Sequence, residues 1–413
     1  MIGGLLPDGR IGRELLLVVT TGALASVTLS LGVPLLSIVL DRHGVEPAAI
    51  GLNTALGGVG SLLAVPFAER IAHRLGAVRT MRAALVLAAT TLFLFPLAVD
   101  LLLWSLWRML LGAAGAVLFI VSEAAINALA PADRRARILA LYATAFSLGF
   151  AAGPLLLALT GSEGILPFLV AAGFLVAAAL PLRLVEGVDG VLAGRGQVDL
   201  PVAVLVRRAG LPLLGVLVYG LLETSFFALL PVYVLTLGWP EQLAALLLSV
   251  WIAGNILFQL PIGRLADRIG ARRTLGLCAG LSTLGLLLLD PAVRAGWPGW
   301  ALLLPGGGTM GAFYTLSLVL VGERFRPTEL VRANAAFVAS FQLGLLLGPA
   351  VVGATMGAIG PGAFGWPLAC AALVLGVALL RSEPRLDRVP SAPMLPGRSA
   401  PEDCDPWPRP PPP

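Results

Sequence analysis

The chain reads as an all-α membrane protein of twelve transmembrane helices arranged as two related six-helix bundles. Three observations predict this: apolar blocks long enough to span a bilayer, arginines gathered on one set of loops, and a repeat at a shift of about 195 residues. Of the 413 residues, 58% are hydrophobic and 12% charged, with mean hydropathy +0.92. Soluble domains are about a quarter charged. A helix needs roughly 20 mostly apolar residues to cross ~30 Å of hydrocarbon. Segments such as 101–121 and 363–380 are apolar nearly all round, whereas a soluble helix keeps a polar face.

Polar breaks divide the chain into its elements in order. Arg10 and Arg13 precede helix 1 (14–40), and Arg42 follows it. Ala23-Leu24-Ala25 resembles a signal-peptide cleavage site, but the block is far longer than the 7–15 residues of a signal core, so we read it as a retained helix. Helix 2 (47–69) ends at Arg70 and Arg74; helix 3 (78–98) follows, with Arg79 and Arg82 at its start. Helix 4 (101–128) runs to Arg134 and Arg135, helix 5 (136–159) returns, and helix 6 (164–183) closes the first bundle, residues 1–184. Residues 185–209 are a polar cytoplasmic linker containing glycines and Arg195, Arg207 and Arg208, before the second bundle, 210–381.

That bundle holds helices at 210–237, 242–264, 274–293, 298–322, 331–356 and 362–381. From Ser382 to Pro413 the chain is Pro-rich and predicts a disordered or polyproline tail. With the N-terminus inside, 25 of the 28 arginines fall on cytoplasmic segments; Arg42 and Arg294 fall outside, and Arg108 lies within a helix. The asymmetry places both termini in the cytoplasm and the protein in the inner (plasma) membrane.

The two bundles match residue against residue. Pro66 and Arg74-Leu75-Gly76 correspond to Pro261 and Arg268-Ile269-Gly270, and Pro131 and Asp133 to Pro327 and Glu329. Gly149 to Pro154 corresponds to Gly344 to Pro349. Six helices per repeat is an even number, so the second repeat enters with the same orientation, related to the first by an axis along the membrane normal.

Several function classes drop out. The chain has no lysine, so a phosphate-binding P-loop with its Lys is impossible. His43 and His73 are the only histidines, and no Cys/His spacing suits a metal, so neither cofactor nor metal nor catalytic constellation is expected. Cys278, Cys370 and Cys404 imply no disulfide framework. The arginines form no single patch, so nucleic acid is not an expected partner.

The most specific motif is Gly263-Arg264-Leu265-Ala266-Asp267-Arg268-Ile269-Gly270-Ala271-Arg272-Arg273. It resembles the signature loop of the major facilitator superfamily, in its second-half copy between helices 8 and 9. The resemblance covers about residues 14–381 and implies two bundles that rock about a central site. It also implies that Asp267 latches the cytoplasmic side shut, with Arg135 or Arg137 as partner and with Gly263, Arg268 and Gly270 shaping the turn. The first-half copy departs from the motif, with Glu69 and His73 where the family has Gly and Asp. His73 reads either as a pH-sensing element or, as we favour, a solvated loop residue.

Arg108-Met109-Leu110-Leu111-Gly112 resembles the superfamily's helix-4 motif, with Leu111 in place of its polar residue. Positions 108, 112, 115, 119 and 123 form one stripe suited to a cavity wall; the rival reading is an arginine snorkelling to the outer interface. Gly149-x3-Gly153-Pro154 resembles the glycine-proline motif of proton antiporters, lacks its trailing glycine pair, and recurs as Gly344-x3-Gly348-Pro349. Its spacing suits close packing and a bend where the bundles meet.

Glu223 lies near mid-membrane in helix 7, on a stripe with Tyr219 and Phe226. Intramembrane acids mark substrate and proton pathways, so Glu223, with Arg108, is the expected proton-coupling group; a structural acid paired with Arg108 or a hydroxyl is the alternative. Asn255, Gln259, Tyr142, Tyr314 and Phe341 are expected around the substrate, in a mostly apolar, aromatic-rich site. The resemblance then implies a monomeric secondary transporter whose partners are a small-molecule substrate, protons and the lipid bilayer, exporting an amphipathic or drug-like compound. A metabolite uptake symporter or facilitator and a non-transporting membrane sensor or scaffold stand as alternatives.

Overall fold

Twelve long helices pack as two sixes, and the glycines at their crossings set how closely they approach. The structure is a computed structural model and describes residues 9–131, 135–185, 201–325 and 329–381. The Pro-rich tail from Ser382 and most of the expected linker, 186–200, lie outside the described residues. In the first half lie α1 (Arg10–Arg42), α2 (Pro47–Leu75), α3 (Ala77–Leu94), α4 (Leu101–Leu129), α5 (Arg135–Thr160) and α6 (Leu166–Ala179). In the second lie α7 (Val202–Thr236), α8 (Glu241–Ile269), α9 (Ala271–Leu287), the short α10 (Leu289–Arg294), α11 (Trp297–Arg324), α12 (Leu330–Ile359) and α13 (Gly365–Arg381). Eleven helices are long and apolar enough to cross a membrane by length and composition. The twelfth, α9, has 17 residues, and α10 continues its path after one residue. No strand occurs among the described residues.

Three boundaries differ from the sequence reading. The polar run 263–275 is not a loop: α8 continues to Ile269, and α9 begins at Ala271. Its Arg, Leu and Ala residues are good helix formers, so the helix persists beyond its apolar stretch. Gly263 is therefore mid-helix, with nothing within 4 Å of a Cβ added there, and the turn rests on Gly270 alone, at φ 92°. Its repeat mate Gly76 turns the chain between α2 and α3 at φ 89°, a backbone that side chains rarely adopt. Second, α7 starts at Val202, inside the stretch read as linker. Third, α9 breaks at Leu288 where one helix is expected over 274–293.

Each half closes on itself in the same way. Gly149 and Gly153 of α5 lie against Ala23, Ser30 and Leu31 of α1, so closely that a Cβ on either would collide with those backbone or hydroxyl atoms. Gly344 and Gly348 of α12 meet Leu217, Leu221 and Ser225 of α7 in the same manner. The Gly-x3-Gly pairs thus seat helices within each bundle, not between bundles as their spacing suggests. A second shared device ties the third helix to the sixth. Arg82 donates to the carbonyl of Leu182 at 2.5 Å, and Arg272 to that of Leu379 at 2.8 Å.

The two halves meet on the side away from the arginine-rich loops. There α2 and α12 cross, with Gly51 against Pro349 and Gly353 against Pro47. Phe150 of α5 rests on Phe227 of α7, ring centroids 4.9 Å apart. At the far rim Arg42 bridges both halves, bonding Glu163 at 3.1 Å and Glu241 of α8 at 2.5 Å. Towards the arginine-rich face Gln259, Arg264 and Asp267 of α8 and Glu123 of α4 are exposed.

Candidate functional site

Helical periodicity places Tyr219 and Glu223 one turn apart on α7, facing α8, α11 and α12. The Tyr219 hydroxyl donates to Glu223 Oε1 at 3.4 Å, and Asn255 Nδ2 of α8 donates to the Tyr219 oxygen at 3.4 Å. The chain of donors therefore ends on the carboxylate. Long as these bonds are, both point the same way, towards the place where negative charge sits. Glu223 remains half-buried, and among the described residues no cation lies within ion-pair distance of it.

Aromatic rings enclose this group. Tyr219 stacks on Phe341 of α12 at 5.9 Å, and Tyr314 of α11 stands edge-on to both at 5.7 Å. Phe337 backs Tyr314 at 5.2 Å. Phe341 comes this close because Gly220 carries no side chain; a Cβ there would strike the Phe341 carbonyl. Asn255 lies across Gly311 of α11 for the same reason. Beside it, Asn255, Gln259, Ile262, Gly308 and Thr315 line a groove between α8 and α11. Counting ~1.5 Å per residue, Glu223, Asn255, Tyr314 and Phe341 all lie about 20–27 Å from the far ends of their helices, so they share one depth.

Other predicted residues fall elsewhere. Phe226 is fully buried, stacked on Trp251 at 5.0 Å and edge-on to Phe364 at 5.4 Å, and belongs to the packed interior rather than to the cluster around Glu223. Tyr142 lies in the first half, sharing a 3.0 Å hydrogen bond with Ser122 and packing near Phe119 and Phe146. Arg108 is 4% exposed; among the described residues it donates only to Ser37 Oγ, at 3.4 Å, and its Nε has no partner. Of the alternative that paired Glu223 with Arg108 or a hydroxyl, the hydroxyl arm is met by Tyr219 and the Arg108 arm is not; nor does Arg108 snorkel, since it is buried against Ser37 of α1.

Asp267 is exposed and pairs with no described side chain. The side chains of its expected partners Arg135 and Arg137, and of Glu69, lie outside the described residues. Three polar groupings escaped the sequence reading. They are the Arg42–Glu163–Glu241 cluster, the Ser37 hydroxyl on Arg108, and a 3.0 Å bond from Asn53 to Ser105 on the same side. Charges at the very ends of apolar blocks on the arginine-poor side were the available signal for the first.

The sequence profile described as the Major Facilitator Superfamily matches residues 18–233 and 212–406. The chain belongs to the major facilitator superfamily. Relatives within the superfamily include the "Uncharacterized MFS-type transporter YcaD" of Salmonella arizonae, 26% identical over 303 residues, covering 73% of this chain and 78% of that one. The "Uncharacterized MFS-type transporter YfkF" of Bacillus subtilis is 27% identical over 334 residues, covering 78% and 83%. Among solved superfamily folds, a nucleoside transporter NupG mutant superposes with TM-score 0.76 at 15% identity, covering 89% of this chain and 99% of that one. A D-xylose-proton symporter superposes with TM-score 0.70 at 16% identity, covering 92% and 99%. The family match and the apolar helices establish a multi-pass membrane transporter fold, with which twelve helices are consistent.

Proposed function

We propose that the protein is a secondary active transporter that exports an amphipathic small molecule in exchange for protons, by alternating access. The observation that carries this reading is the half-buried Glu223 carboxylate, hydrogen-bonded by Tyr219 and flanked by the aromatic rings of α7, α11 and α12. Such a carboxylate, in surroundings of low dielectric, can hold a proton or release it according to the side that it faces. The contacts of α2 with α12 and of Arg42 with Glu241 join the halves on one side, while Gln259, Arg264 and Asp267 of α8 stand exposed towards the other. This arrangement corresponds to a transporter open to the arginine-rich face, which the positive-inside rule assigns to the cytoplasm of the inner membrane.

On this reading residues 1–184 and 210–381 rock as two bundles about the 185–209 linker, as a monomer that performs no covalent chemistry. Asp267 re-forms its contact with the first half when the cytoplasmic side closes. One proton crossing is worth ~2.3 kcal/mol per 100 mV, enough to sustain a useful concentration ratio. Uptake by symport is the second reading, favoured by the fold likeness to a D-xylose-proton symporter. The test is transport into vesicles of the purified protein with the pH gradient imposed in each direction. Export by antiport requires substrate to accumulate against the proton flow; movement of both in one direction replaces it with symport. Flux that ignores the gradient overturns proton coupling altogether.

A further inference from the structure

We infer that the molecule carried is an organic cation: a positively charged nitrogen or phosphonium-like centre within an apolar body, seated between the Tyr219–Tyr314–Phe341 rings and the Glu223 carboxylate. The inference rests on the transport site proposed above and deepens it by fixing the sign of the cargo's charge.

Three features of the site agree. First, three aromatic rings stand in a triangle with centroid separations of 5.7–5.9 Å, and a fourth, Phe337, braces it. Ring faces attract cations placed within about 6 Å of their centroids, and repel anions. Second, the Asn255–Tyr219–Glu223 hydrogen bonds run donor to acceptor and converge on Oε1, leaving Oε2 with no described protein donor. A carboxylate oriented from one side, and open on the other, is a receptor for a cation. Third, the buried cation that could have received an anion is spent elsewhere. Arg108 is enclosed in the first half against Ser37, about 10 Å along α4 from Leu101 at the far side.

The same geometry explains how exchange would work. A proton and the cargo's positive charge compete for one carboxylate, so loading one expels the other without any moving barrier between them. The groove lined by Asn255, Gln259 and Thr315 gives the apolar body a wall with amide groups along it.

The experiment is equilibrium binding to the purified, detergent-solubilised protein, without any gradient, using tetraphenylphosphonium and tetraphenylborate. These two ions share shape and apolar surface and differ in the sign of charge. The expected result is saturable binding of tetraphenylphosphonium that strengthens as pH rises, and no saturable binding of tetraphenylborate. Glu223→Gln should weaken tetraphenylphosphonium at least about tenfold, and Phe341→Ala by ~2- to 30-fold, with thermal unfolding confirming that both variants fold. Equal binding of the two ions, or equal affinity in wild type and Glu223→Gln, overturns the inference. Because no gradient is imposed, recognition is read apart from coupling. Charge-selective binding with gradient-independent flux in vesicles would sink proton exchange and leave the cation assignment standing; charge-blind binding with gradient-driven flux would do the reverse.

Discussion

The two halves are built alike where helices pack and unlike where charge is buried. In both, a glycine pair four residues apart lets the fifth helix of the repeat lie directly on the first: Gly149 and Gly153 on α1, Gly344 and Gly348 on α7. In both, an arginine of the third helix holds a carbonyl near the end of the sixth. Yet the first half keeps a cation, Arg108, dry and close to the far side, whereas the second keeps an acid, Glu223, half-buried beside the rings of α11 and α12. The repeat therefore preserves what assembly needs, while its polar positions have diverged. Packing constrains backbones that touch; a side chain facing open space is constrained only by what it must bind.

That contrast can be broken by experiment, and the largest effect is expected at Glu223. Glu223→Gln should reduce gradient-driven flux in vesicles by about tenfold or more, equivalent to ~1.4 kcal/mol on the rate-limiting step, with little change in thermal unfolding. Retained, gradient-dependent flux in that variant would remove Glu223 from the coupling step. Next come the glycines. Gly153→Val and Gly348→Val should each destabilise the protein by ~1–3 kcal/mol, read as parallel drops in unfolding temperature in detergent. A normal unfolding temperature in one of the two variants alone would show that the repeats do not pack alike.

Smaller effects are expected at the charges of the first half. Arg42→Gln removes both bonds that Arg42 makes across the far rim, to Glu163 and Glu241. Because Arg42 is itself well exposed, the change should shift the equilibrium towards opening on that side by only about three- to tenfold. Faster thiol labelling of Ala48→Cys, in a background lacking the native cysteines, would report it; the reversed pair Arg42→Glu with Glu241→Arg should restore slow labelling. Smallest is Arg108→Met. Losing a buried charge whose only described partner is a 3.4 Å hydroxyl should stabilise the protein by about 1 kcal/mol or less, read as a slight rise in unfolding temperature. A marked fall would mean that Arg108 holds an ordered partner of its own.

Much of this was legible in the sequence, for identifiable reasons. Long apolar blocks, the arginine bias and the repeat fix helix number and order, because lipid leaves the backbone no alternative to helices. The meeting of Tyr219, Glu223, Asn255, Tyr314 and Phe341 was legible as a set of polar and aromatic residues at similar depth. Phe226 was misplaced because its stripe points correctly but its depth does not: it lies two turns beyond Tyr219 towards the far side, where Trp251 and Phe364 fill the bundle. The glycine-proline segments carry a spacing without a partner, and only coordinates assign them to α1 and α7. The 263–275 run misleads because charge suggests a loop, although Arg, Leu and Ala sustain a helix in water as well as in lipid.

The continuity of α8 has a mechanical consequence. One uninterrupted rod carries Glu241 at the far rim, Asn255 and Gln259 beside the cluster, and Asp267 at the opposite end. By helical rise Glu241 and Asp267 lie about 21 and 18 Å from Asn255, so a tilt of ~10° pivoting there swings Asp267 through about 3 Å. That is the difference between a formed and a broken ion pair. On the proposed alternating-access reading the helix would act as a lever, one rotation freeing its outer tip and engaging its inner tip.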